Sequence, residues 1–114
     1  MKTIIAQQGE IAIYKLSEKP DQETKPVAHR GDGRTILSHS ENGNHHVLTG
    51  GDVLERVNVP DGLQIFYTAI ENAEKVLQEA ATPHEAVDLE PGWYEFRISR
   101  EYDPFAEQAR RVAD

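Results

Sequence analysis

The chain has 114 residues, with 12 Lys and Arg against 20 Asp and Glu, no Cys, 38% hydrophobic residues and a net charge of −8. A single domain spanning 1–114 fits that length, and a core can form without disulfides or a structural metal, because a chain of this size buries roughly two-thirds of the surface it would expose unfolded. A two-domain enzyme, a thiolate zinc site and a cysteine nucleophile are excluded, and the acidic balance argues against a nucleic-acid partner, since meeting phosphates requires clustered Lys and Arg.

The opening Met1-Lys2-Thr3-Ile4-Ile5-Ala6 carries one positive charge and an apolar run shorter than the about 7–15 residues of a signal h-region, so secretion by a signal peptide is not expected. No apolar stretch approaches the ~20 residues needed to span a bilayer as a helix, and no membrane partner is expected. Lys2 to Ala6 can form an edge strand, and Ile11 and Ile13 alternate with Ala12 and Tyr14 in a strand over 10–16. Residues 17–33 turn polar, with Pro20, Pro26, Gly31 and Gly33 as breakers, and read as a surface loop.

Two short strands, 34–39 and 45–49, flank a turn at 40–44 that contains Asn42-Gly43, which predicts a hairpin ended by Gly50-Gly51. Val53 to Val59 alternates imperfectly and stops at Pro60-Asp61-Gly62, before Leu63 to Ile70, the clearest strand in the chain. Residues 71–81 are mostly good helix formers, but their apolar positions are too sparse for a buried stripe, so a turn at 71–73 and a strand at 75–80 are preferred. Over 92–98, Tyr94, Phe96 and Ile98 share one face and are core candidates. Asp103-Pro104 reads as a helix start, with Phe105, Ala109 and Val112 at helical spacing. Seven to nine closely spaced strands predict an all-β fold, a small antiparallel sandwich or barrel, with a short C-terminal helix.

Histidine is the residue type with the most chemistry on offer: His29, His39, His45, His46 and His84. The hairpin sets His39 opposite His45, with Cβ atoms about 4.5–5.5 Å apart, close enough to share a divalent metal. A catalytic zinc takes three protein ligands and an open position, which His84 or Glu41 would complete. His46 faces the other side of a regular strand. The competing reading is an exposed, pH-sensitive turn. Arg30-Gly31-Asp32, the tripeptide that adhesion receptors read, is taken as a turn. Gly31-Asp32-Gly33 and Gly50-Gly51 lack the strand, helix and Lys of a phosphate loop. No Ser lies in a nucleophile elbow, and no pair of carboxylates stands out.

Gln8-Gly9-Glu10-Ile11, then Glu41 and His45, then His84, and finally Pro91-Gly92-Trp93-Tyr94 with Arg100-Glu101-Tyr102-Asp103, form a spaced pattern. It resembles a family of small uncharacterised proteins of bacteria and of tailed phages or other mobile elements. That pattern has Gln-Gly-Asp-Val, Gly-Glu-x-Thr-Gly-His-x-His, His-Glu-x-His, Pro-Gly-x-Tyr and Arg-Glu-Tyr-Asp in succession. Val47 stands where the resemblance implies a second His of its second segment, and the doubled His near residue 81 is Ala here. His39, His46 or a carboxylate would have to replace the missing imidazoles in any closed metal site.

The expected function is therefore that of a non-enzymatic accessory or assembly protein, phage or mobile-element encoded. It would serve in virion decoration or host-factor binding by presenting a sheet edge or face to a protein partner or a second copy. Its location would be cytoplasmic or virion-associated. The alternative is a cupin-like protein holding a divalent metal on His39, His45, His84 and Glu41; the leading reading needs no cofactor.

Overall fold

A computed structural model describes residues 2–39, 45–80 and 85–99. They form ten strands: β1 (Lys2–Gln8), β2 (Ile11–Leu16), β3 (Thr24–Val27), β4 (Thr35–Ser38), β5 (His46–Leu48), β6 (Val53–Arg56), β7 (Leu63–Ile70), β8 (Glu74–Gln78), β9 (Val87–Leu89) and β10 (Gly92–Ser99). The fold is all-β, with the strand pairs among the described residues antiparallel, in two sheets ordered β1-β2-β10-β7-β6-β3 and β4-β5-β8-β9. Neither sheet closes on itself, so the barrel alternative is corrected. The helix expected from Asp103 onward lies outside the described residues, among which no helix occurs.

Tight turns set the register. Gly9 and Glu10 join β1 to β2, with φ of 56° at Gly9 and a negative φ at Glu10, the II′ pattern that places glycine first. At the start of β7, the Leu63 N–H donates to the Pro60 carbonyl at 3.2 Å across Asp61-Gly62, with Gly62 at φ 80°, as a type II turn requires.

Apolar alternation then builds one core between the sheets. Ile11 and Ile13 of β2, Phe66 and Ile70 of β7, and Tyr94, Phe96 and Ile98 of β10 meet Leu37, Leu48, Val76 and Leu89 from the smaller sheet. The Tyr94 hydroxyl donates to the Glu90 carbonyl at 2.7 Å, a corner of the kind that recurs in antiparallel sandwiches. Burial, together with the neighbouring Glu90 carboxylate, pushes the Tyr94 phenol above its ordinary value.

Two elements depart from the sequence expectations, the strand within 17–33 and the number of strands. Residues 17–33 are not wholly loop: Thr24–Val27 pairs with β6, Pro26 opposite Leu54, and Pro26 is tolerated because β3 is an edge strand. The strand preferred over a helix for 75–80 is found at Glu74–Gln78, with Val76 fully buried between β5 and β9. The short β9 brings the strands to ten, above the seven to nine expected.

Candidate functional site

The β4–β5 ladder pairs Thr35 with Leu48, Ile36 with Val47 and Ser38 with His46, with a register shift between Ile36 and Ser38. One residue further out, His39 and His45 meet: their ring centroids are 5.4 Å apart at 75° between planes. An edge-to-face pair of this kind is ordinary aromatic packing. It also fits a shared metal, because zinc–nitrogen bonds of about 2.0–2.1 Å at a tetrahedral angle set two imidazole centroids roughly 5 Å apart. The structure thus brings together two of the four residues named as ligands. Glu41 and His84 lie outside the described residues, and among the described residues no three His, Cys, Asp or Glu gather as a metal-holding group.

His46 has a different role from its neighbour. It is buried, with Nδ1 2.8 Å from the Gln8 side-chain oxygen. Gln8 is itself 1% exposed, and its amide nitrogen donates to the Val76 carbonyl at 3.0 Å and the Glu85 carbonyl at 2.9 Å. Two carbonyl acceptors fix which end of the Gln8 amide is nitrogen, so its oxygen faces His46 and the proton sits on His46 Nδ1. Next to it, the Ser38 hydroxyl donates to the Glu10 carboxylate. The β1–β2 turn therefore closes over the end of the small sheet, where the Gln8-Gly9-Glu10 and His45-His46 segments converge. Sequence periodicity gave no sign of Gln8's role.

Beside this end lies a charged cluster. The Arg30 guanidinium donates to both oxygens of Glu79 at 2.6 and 2.7 Å and to both oxygens of Asp32 at 3.1 and 2.6 Å, while Arg34 reaches Glu79 at 3.1 Å. Backbone bonds from Gly33 N–H to the Arg30 carbonyl and from Arg30 N–H to the Arg34 carbonyl close the turn, with Gly33 at φ 82°. Arg30 and Asp32 are thus tied to each other rather than displayed as a free tripeptide. The Arg30 hydrogen bonds hold the Asp32 carboxyl at about 2 and the Glu79 carboxyl below its ordinary value. Because both acids are depressed on folding, their contribution is complete above the ordinary carboxylate range and is lost as pH falls toward about 2. Urea titrations of the native chain and Glu79→Gln should accordingly differ most near neutrality and converge in acid; a gap that persists at the acid end would contradict this assignment.

Two surfaces complete the inventory. β1 is the longer edge strand of the large sheet, and Ile4 and Ile5 are 56% and 44% exposed along it. Thr3, Ile5, Lys15, Leu16 and Ser17 line an apolar hollow of about 380 Å³ beside it. On the outer face of the same sheet, Glu95 is only 4% exposed, with Lys2 Nζ at 3.0 Å and Arg97 Nε at 3.4 Å from its Oε2. This buried carboxylate was not singled out from the sequence, although its place between Tyr94 and Phe96, out of phase with the core face, was a signal.

Against known families, a model described as a domain of unknown function (DUF8820) matches residues 7–99. No curated protein and no solved structure matches the chain.

Proposed function

We propose that this chain, which belongs to the DUF8820 family, is a non-enzymatic accessory or assembly protein that engages a protein partner through the open edge of β1. The observation that carries this reading is the contrast between edges. β3 is guarded by Lys25 and Pro26, β9 has only three residues, and β4 is buried at Thr35, Leu37 and Ser38. β1 runs for seven residues with one charge, Lys2, two exposed isoleucines and no proline. An edge of this kind is a template for strand addition, and the adjoining hollow offers a place for an apolar side chain.

A second copy is the first partner to test. In an antiparallel pairing about a twofold axis, the single Lys2 meets the far end of the opposing strand rather than its own counterpart, so charge does not oppose it. The resemblance to phage and mobile-element proteins supports a setting in virion assembly or host-factor binding, inside the cell or on the particle. Light scattering after size exclusion should give a dimer or a complex with virion or host protein, and Ile5→Lys should abolish it while leaving the circular dichroism spectrum unchanged. A strict monomer that retains nothing would overturn the reading.

The His39–His45 pair favours a second reading, a divalent-metal site completed by Glu41 and His84. Elemental analysis of protein purified without a tag decides it: near-stoichiometric metal supports the site, and less than about a tenth of an equivalent, with no stability change on chelation, removes it.

A further inference from the structure

The outer face of the large sheet carries an arrangement that strand pairing does not require. Arg97 stands opposite Ile65, and Arg56 follows Glu55, whose counterpart on β7 is Phe66, so two arginines flank one isoleucine. Tyr67 and Glu95 face each other in the next row. Together with Lys2 and the segment after Leu16 they line a depression of about 330 Å³.

The charges there are unevenly matched. Glu95 is satisfied by Lys2 and Arg97. Arg56 has no ion pair among the described residues, and its Nε is enclosed without a hydrogen-bond acceptor; the Arg97 Nε is enclosed as well, and its 3.4 Å approach to Glu95 Oε2 is an ion pair without an aligned hydrogen bond. An enclosed donor without an acceptor is costly, so such groups are retained where something else supplies one. A planar guanidinium is best matched by a carboxylate.

We propose that this depression binds a small organic monocarboxylate, with its anionic group on Arg56, beside Arg97 and Tyr67. A phosphate dianion fits less well, because Glu95 adds its own negative charge to the floor and Glu18 and Asp21 add theirs to the wall. The volume lies near the lower end of the roughly 300–1,000 Å³ typical of small-molecule pockets, which selects a metabolite-sized acid. Lys2 of β1 lines the depression but Ile5 does not, so Ile5→Lys should leave the site intact and failure of either reading is separable from the other.

The arginine Nε–Hε signals in proton–nitrogen correlation spectra report on the site directly. Titration with propionate, benzoate and N-acetyldiglycine should shift the Arg56 and Arg97 signals saturably in the millimolar range, with inorganic phosphate weaker and N-acetyldiglycine amide inert. Arg56→Gln should abolish saturation, and Arg56→Lys, which keeps the charge but not the fork, should weaken it several-fold. Absence of a saturable shift with every carboxylate, shifts confined to other residues, or equal response to the acid and its amide would each overturn the proposal, whatever the variants do.

Discussion

Phe96→Ala should lower the free energy of unfolding by about 3–5 kcal/mol, the range for deleting a buried aromatic ring. Phe96 is fully buried on the central β10, opposite Ile13 of β2 on one side and Phe66 of β7 on the other. It belongs to the cluster that also takes Leu48 and Val76 from the second sheet. The cavity left by its ring would therefore open between the sheets, where backbone ladders on both sides resist collapse. Urea unfolding followed by circular dichroism and Trp93 fluorescence measures the loss; a change under about 1 kcal/mol would show that the sheets are not held by this cluster.

The parts of the fold that could be read in advance are those where a two-residue period and burial coincide. Leu63–Ile70 and Gly92–Ser99 are such runs, and Tyr94, Phe96 and Ile98 do face the core. The antiparallel pairing of β4 with β5, which brings His39 to His45, was legible for a different reason, the Asn42-Gly43 pair between two branched runs; the turn at 40–44 itself lies outside the described residues. β3 was not, because Pro26 is evidence against a strand unless the strand is known to lie at an edge, and edges are a property of the whole sheet.

β1 shows why the candidate site was only half visible. Residue-by-residue alternation puts Lys2, Ile4, Ala6 and Gln8 on one face. The register, however, runs Ile4 to Tyr14 and then Ala6 to Ile13, so Ile5 is a bulge with no counterpart. That extra residue exchanges the faces: Lys2 goes to the outer layer and reaches Glu95, while Ala6 packs on the core and Gln8 is buried. Nothing in the local composition marks the bulge. It is favoured by contacts some 70 to 90 residues away in sequence, those of Gln8 to Val76 and Glu85 and of Lys2 to Glu95.

The same bulge buries Gln8 where its side chain bridges the two sheets. Its amide joins β1 of the large sheet to the Val76 carbonyl in β8, the Glu85 carbonyl ahead of β9, and His46 in β5. Gln8→Ala removes two buried bonds, to the Val76 carbonyl and His46 Nδ1, and a part-buried one to the Glu85 carbonyl, and each buried bond so lost costs about 1–3 kcal/mol. Because water can enter the space vacated, the total is expected near about 3 kcal/mol rather than the full sum. Gln8→Glu separates bonding from shape. Its second oxygen would face the two carbonyls as an anion, so the variant should be at least as destabilised as Gln8→Ala near neutrality. It should recover in acid, where a protonated carboxyl can donate to one of them. Amide exchange locates the effect: protection should fall first in β8 and β9, while β7 and β10 keep theirs. If Gln8→Ala and His46→Ala prove strictly additive, or if exchange accelerates evenly through both sheets, then the sheets are joined by apolar packing alone and the Gln8 bridge carries no coupling.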